Sequence, residues 1–248
     1  MSGIISSVEF GRFSPTAILF DLDGTLADTA ADLCGAANRM RAQAGLSALP
    51  LAQFRPWVSR GGRAMLEIAF AEASVEQREA MLPTFLALYA EHVADETELF
   101  PGVADLLSRL EAAAISWGIV TNKPIGLAEP VVKGLRLDGR SSALIGGDSL
   151  AERKPHPLPL FEACRRMGVA PARALYVGDD RRDVEAGHAA GMPVVAVSWG
   201  YLPPNDPIAC WGADVIIDQP GQLLELIGLA SAPPAITAQP ATVDCLDK

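Results

Sequence analysis

Ala17-Ile18-Leu19-Phe20-Asp21-Leu22-Asp23-Gly24-Thr25 is the stretch on which the fold turns. Its four leading apolar residues form a short unbroken run, the mark of a strand buried on both faces of a parallel sheet. Such a strand delivers Asp21 and Asp23 at its C-terminal end, where ligands of open α/β sheets bind. Gly24 lets the chain turn sharply, and Thr25 adds a hydroxyl and an amide. Two carboxylates held that close repel each other unless a cation or a proton lies between them. The competing reading, that both aspartates merely cap a turn, is outweighed because three further elements follow in the right order.

Working outward, Thr29 to about Leu46 is Ala-rich and helical in pattern, and Leu51–Val93 also reads as helices, broken at Gly61-Gly62. After Pro101-Gly102 the pattern changes to alternation. Helices are predicted at Val103–Ala113, Gly126–Gly134, Leu158–Met167, Asp183–Ala190 and Leu223–Ile227. Strands are predicted at Trp117–Val120, Ala143–Ile145, Ala174–Val177, Val194–Val197 and Val215–Ile217. Strand–helix alternation implies an α/β fold with a parallel sheet covered on both faces. The all-helical block after the first strand reads as an inserted second domain. The expected division is a flexible leader at 1–14, a core from 15–28 and 98–229, a helical cap at 29–97, and a disordered tail at 230–248 rich in Pro, Ala and Thr.

The 248 residues carry 30 Asp plus Glu against 20 Lys plus Arg, a formal charge of -10. That balance argues against a nucleic-acid partner, which needs a basic face. It leaves an anionic small substrate open, because charge within a cleft decides such binding. Cys34, Cys164, Cys210 and Cys245 lie far apart without metal spacing and are expected to be free thiols in a reducing compartment. With no signal-peptide pattern and no apolar run long enough for a membrane span, the expectation is a cytoplasmic protein with no membrane partner.

The second chemical element is Thr121-Asn122-Lys123-Pro124, directly after a predicted strand. A hydroxyl and backbone amides at a strand end can hold phosphate oxygens, although Thr and Asn also favour ordinary turns. The third is Lys154-Pro155. A lysine there can neutralise a phosphate and an attacking carboxylate; taken singly it reads as a solvated surface residue. The fourth is Gly178-Asp179-Asp180-Arg181-Arg182-Asp183, after another apolar strand. Its acids are candidate oxygen ligands for magnesium, with helix N-capping by Asp180 as the plainer role for that residue.

These four elements, in this order, resemble the haloacid dehalogenase-like (HAD) phosphatases over about Ala17 to Ile227. The resemblance implies a Rossmann-like core with a helical cap inserted after the first strand. It implies Asp21 as nucleophile, forming an aspartyl-phosphate, and Asp23 as general acid and then base. Thr121, Asn122 and Lys154 would bind phosphate. Mg2+ would be held by Asp21, the backbone carbonyl of Asp23 and Asp179, with Asp183 in support. Asp180 departs from the Ser or Thr common at that place and receives no ligand role. The implied partner is a small phosphorylated metabolite; nothing in the chain predicts an oligomeric state.

Among such enzymes the chain looks like the phosphoglycolate phosphatases. Val58-Ser59-Arg60-Gly61-Gly62-Arg63-Ala64-Met65, Trp117–Pro124, Val177–Asp183, Gly200-Tyr201 and Trp211–Asp214 further resemble bacterial N-acetylmuramic acid 6-phosphate phosphatases of cell-wall recycling. The expectation is therefore hydrolysis of N-acetylmuramic acid 6-phosphate, with 2-phosphoglycolate as the alternative. A phosphosugar mutase or a catalytically silent binding protein stands further back. Gly62 and Arg63 are the expected specificity residues, against an equally open reading as a helix–helix turn with a surface arginine. Trp57, Trp117, Trp199 and Trp211 are expected to pack, and His92, His156 and His188 to be non-catalytic.

Overall fold

The computed structural model describes residues 14–229. The leader expected at 1–14, Ser14 apart, and the tail expected at 230–248 lie outside the described residues. The core is a six-stranded sheet, every neighbouring pair parallel. Its strands are β1 (Ala17–Phe20), β4 (Ser116–Val120), β5 (Leu144–Ile145), β6 (Ala174–Gly178), β7 (Val194–Val197) and β8 (Val215–Ile217), in the order β5-β4-β1-β6-β7-β8. Helices α5 (Val103–Ala112), α6 (Ile125–Gly134), α7 (Leu158–Met167), α8 (Arg181–Ala189) and α9 (Pro220–Leu226) accompany it.

The apolar run of β1 is buried at every residue. Successive side chains of a strand point to opposite faces. Ile18 and Phe20 accordingly join one hydrophobic cluster, and Ala17 and Leu19 the other. Leu175 and Val177 of β6 divide from Ala174 and Tyr176 in the same way. This two-sided burial is why the strands read as continuous apolar runs rather than alternating ones.

The chain lays β4 and β5 on one side of β1 and β6 to β8 on the other. The order therefore reverses at β1, and the crevice outside the strand ends is a topological switch point. Phe20 is in register with Ile119 and with Val177, so the residues that follow β1, β4 and β6 emerge side by side.

A two-stranded antiparallel stalk, β2 (Ala27–Asp28) with β3 (Glu98–Leu99), marks where the chain leaves the core and returns. Between them lies the helical cap: α1 (Ala30–Gln43), α2 (Leu51–Phe54), a 3-10 turn (Arg55–Arg60), α3 (Gly62–Ala69) and α4 (Val75–Ala90). Ser74 and Gln77 close a reciprocal capping box at the start of α4. The two strands of the stalk were not anticipated; two-residue elements leave no periodic signal.

Helix α1 is capped from outside itself. Thr29 makes no side-chain cap. Instead the Tyr201 hydroxyl, from the core, accepts from the amides of Thr29 at 2.7 Å and Ala30 at 3.1 Å, and donates to Asp28 Oδ1 at 2.9 Å. Tyr201 is 1 % exposed. Tyr201→Phe strands the buried Thr29 N–H and leaves the Ala30 N–H only Asp28 Oδ1 at 3.4 Å, and we expect it to lower unfolding stability by about 1–3 kcal/mol. Urea denaturation checks this; an unchanged midpoint would mean that water replaces the hydroxyl.

Cys34 and Cys164 are free and buried. Cys210 is disulfide-bonded, which corrects the expectation of four free thiols. Pairing is decided by proximity in space, which spacing along the chain does not fix. Among the described residues no helix is long and apolar enough to cross a membrane.

Candidate active site

Two adjacent strand ends and the helix that follows one of them supply the acids. Asp21 follows β1, Asp179 follows β6, and Asp183 lies in the first turn of α8. One carboxylate oxygen from each lies within 4.8 Å of the others, and all three side chains are buried. Their approach depends on Gly24, whose φ of +87° and missing Cβ leave room for Asp179; an ideal Cβ there would stand 2.0 Å from Asp179 Oδ2.

Lys154 is the counter-charge within this group. Its ammonium lies 3.0 Å from Asp21 Oδ1 and 2.7 Å from Asp183 Oδ1, and donates to Val120 O and the Tyr176 hydroxyl, each at 2.9 Å. The residue that read singly as a surface lysine is 3 % exposed. Burial opposes its charge, but Asp183 and Asp21 outweigh that and raise its pKa.

One ammonium does not neutralise three carboxylates. Burial, eased by Lys154 and aggravated by Asp183, pushes Asp21 up to about 7. Burial together with Asp21 and Asp183 holds Asp179 well above the usual carboxylate range. Buried oxygen donors with a surplus of negative charge fit a hard divalent cation such as Mg2+. The Asp23 carbonyl borders the same space: the Ser59 hydroxyl, 2.8 Å from Asp179 Oδ2, lies 3.3 Å from Asp23 O.

Asp23 is held apart from the cluster. Its Oδ1 accepts from Thr29 Oγ1 at 2.6 Å and pairs with Lys123 Nζ at 2.9 Å. Lys123 also lies over the Tyr89 ring, 4.5 Å from its centroid. Burial opposes the Lys123 charge, but Asp23 and Tyr89 outweigh it and raise the pKa.

Thr121 is buried after β4, and its hydroxyl oxygen accepts from Lys123 N at 3.1 Å, leaving its proton available to an anion. Asn122 Nδ2 donates one N–H to Lys154 O at 2.9 Å, and its Oδ1 is a buried acceptor with no hydrogen-bond partner among the described residues. The amide keeps a second N–H beyond that bond. Asp180 caps α8, accepting from Arg182 N at 2.9 Å, while Asp183 Oδ2 accepts from Asp180 N at 3.1 Å. Although burial opposes ionisation of Asp180, Arg182 prevails and lowers its pKa.

The cap closes over this floor through the 3-10 turn. Arg60 pairs with Asp206 and with Asp180, and Arg182 donates to the Ser59 carbonyl. Asp206 is also held by Arg181 and by the Trp211 indole. A cavity of about 310 Å³ lies between floor and cap, bordered by Asp21, Asp23, Thr121 and Lys154 below and by the Gly61-Gly62-Arg63 segment above. Arg63 stands at the edge of this cavity with its guanidinium paired to Glu79, 65 % exposed.

Sequence reading left Lys123, Ser59, Tyr176 and Tyr201 without roles. Lys123 lay inside a quoted motif, so its place beside a strand end was the available signal. The other three act through contacts with residues distant in the chain. Trp117 and Trp211 are buried and hydrogen-bonded to Glu111 and Asp206. Trp199 donates to Thr25 O at 3.1 Å. His92 and His188 pair with Asp95 and Asp214, away from the carboxylate cluster.

A model of the haloacid dehalogenase-like hydrolase family matches residues 18–197, and the chain belongs to that family. It is an enzyme of the phosphoric monoester hydrolase class, with curated phosphatases among its relatives. A phosphoglycolate phosphatase of Xanthomonas campestris pv. campestris (strain 8004) is 52 % identical over 212 residues, covering 85 % of this chain and 96 % of the relative. An N-acetylmuramic acid 6-phosphate phosphatase of Pseudomonas aeruginosa is 42 % identical over 220 residues, covering 88 % and 97 %. Among solved structures, a predicted phosphoglycolate phosphatase from Haemophilus somnus 129PT superposes with a TM-score of 0.75 at 31 % identity, over 87 % of this chain and 98 % of that one.

Proposed function

We propose that the chain hydrolyses a small phosphorylated metabolite in two steps, with Asp21 as nucleophile and Asp23 as acid and base, assisted by Mg2+. The observation that carries this reading is the ion-paired Asp21 carboxylate beside two more buried acids, opening on a cavity that also holds Asp23. We read 15–28 and 98–229 as the core and 29–97 as the cap.

Asp21 attacks phosphorus, and the phosphoryl group passes to its carboxylate as the substrate alkoxide leaves. Asp23 donates a proton to that leaving oxygen and then takes one from the water that hydrolyses the aspartyl-phosphate, a role worth about 10²–10⁴ in rate. Lys123 and Thr29 hold the Asp23 carboxyl in place. A carboxylate approaching a phosphate dianion meets like-charge repulsion; Lys154 offsets it, and Thr121 donates to a phosphoryl oxygen. Asp21, Asp179 and the Asp23 carbonyl are the residues suited to hold Mg2+, with Asp183 supporting. Bound there, the ion supplies positive charge to the equatorial phosphoryl oxygens.

The substrate expectation from sequence was N-acetylmuramic acid 6-phosphate. Similarity to named relatives supports the alternative, 2-phosphoglycolate, better, since the Xanthomonas phosphoglycolate phosphatase is 52 % identical and the Pseudomonas enzyme 42 %. We therefore place 2-phosphoglycolate first. The sugar phosphate stays as the second reading for one reason. Leu33, Val58, Met65, Leu82 and Leu86 give the cavity an apolar wall that a two-carbon acid does not use.

Phosphate release from 2-phosphoglycolate, N-acetylmuramic acid 6-phosphate and common sugar phosphates tests the proposal. We expect multiple turnovers with Mg2+, a preference of at least about tenfold for one of the first two, and no activity in excess chelator. Comparable specificity constants across the panel would remove the narrow substrate claim. Return of the phosphoryl group to a sugar instead of water would mark a mutase, and full activity in chelator would remove the cation.

A further inference from the structure

Both substrate readings share a second chemical group: each molecule carries a carboxylate besides its phosphoryl group. The inference below rests on that reading. Six basic residues line the cavity, Arg60, Arg63, Lys123, Arg153, Lys154 and Arg182. Five are committed: Arg60 to Asp180 and Asp206, Arg63 to Glu79, Lys123 to Asp23, Lys154 to Asp21 and Asp183, and Arg182 to Asp180. Arg153 has no ion-pair partner among the described residues. A paired arginine has part of its donor set and charge already taken up; an unpaired one offers all five N–H groups to an incoming anion.

The place of Arg153 suits this role. It precedes Lys154, whose ammonium reaches Asp21, and adjacent Cα atoms stand about 3.8 Å apart. Arg153 borders the same cavity as Asp21 and Lys154, from its exposed side, so a short acid with its phosphoryl group at Asp21 has a long cationic side chain at the margin of the space its other end occupies. The backbone there is held: Asn122 Nδ2 donates to Lys154 O, and His156 N donates to Arg153 O, both at 2.9 Å. The guanidinium fork matches a carboxylate with two parallel N–H···O bonds. Cap closure would strengthen the pair by excluding water.

We infer that Arg153 receives the substrate carboxylate, so that the enzyme selects phosphate monoesters carrying a second, carboxylic anion. The test compares matched substrates: 2-phosphoglycolate against ethylene glycol monophosphate, and N-acetylmuramic acid 6-phosphate against N-acetylglucosamine 6-phosphate. Arg153→Ala should lower kcat/KM about 10- to 100-fold on the preferred carboxylate-bearing substrate, chiefly through KM, and less than about twofold on its carboxylate-free partner. Arg153→Lys should recover part of the loss. Arg63→Ala should show no such selectivity.

A wild type that prefers the acids, paired with an Arg153→Ala variant that loses both partners equally or neither, overturns the assignment and leaves the hydrolase reading standing. A selective loss in Arg63→Ala instead also overturns it. A wild type with no preference for the acids overturns the substrate reading and this inference together.

Discussion

Asp21→Asn should be folded and inert. Removing an attacking nucleophile abolishes the covalent route, and we expect turnover to fall by about 10⁴-fold or more. The substitution is close to isosteric, and the Leu22 amide, which donates to Asp21 Oδ1 at 2.7 Å, keeps an acceptor. The second half of the expectation concerns stability without the cation. The folded-state pKa of Asp21 is raised from 3.8 to about 7, chiefly by burial. A raised carboxyl pKa means that the unfolded chain ionises first, so stability declines as pH rises from the unfolded value through the folded one. Asparagine avoids that cost. In chelator, the variant should therefore be more stable than wild type at pH 8, with the advantage shrinking toward pH 4, where the native carboxyl is protonated. Excess Mg2+ should reverse the order, because the variant has lost a ligand. Urea titrations at the two pH values and a phosphate assay check both halves. Residual turnover near that of wild type would remove Asp21 as nucleophile.

Lys154→Met should fail in the opposite manner, losing both activity and stability. Its ammonium makes two ion pairs and two further hydrogen bonds while 3 % exposed. Methionine fills a similar volume but leaves Asp21 and Asp183 facing each other, and the Val120 carbonyl loses one of its two donors. Breaking a buried pair by removing one partner costs about 3–5 kcal/mol, because the remaining charge stays buried. Loss of its positive charge beside the phosphoryl group should cost a further ~10²–10³ in kcat. The stability loss should be largest in chelator and above pH 7, where the wild-type Asp21 carboxyl is ionised beside Lys154. A variant that melts like wild type and turns over normally would make Lys154 a bystander.

Much of this site was legible along the chain because α/β folds place chemistry at strand ends. The run 17–20, the strand 117–120 and the strand 174–177 each announced themselves by continuous apolar character. The one or two residues that follow each run are therefore candidates on sequence alone. Asp21, Thr121 and Asp179 lie at such ends, and β1 lies between β4 and β6. Arg63 shows where that logic stops. Its neighbours in sequence left ligand contact and surface exposure equally open, and in the fold its guanidinium lies against Glu79 at the cavity edge. The deciding partner stands sixteen positions away, on another helix.

By itself the sequence determined the parallel α/β core, the helical insertion after the first strand, and the kinds of side chain presented at each strand end. Those follow from periodicity and local sterics, which act over a few residues. Only the tertiary structure decided which of those side chains face one another. It set Lys154 between Asp21 and Asp183, gave Lys123 to Asp23, brought the Ser59 hydroxyl down onto Asp179, and capped α1 with a tyrosine hydroxyl from the core. The physical reason is range. Burial, desolvation and ion pairing depend on distance through space, and packing brings together groups that lie more than a hundred residues apart in the chain.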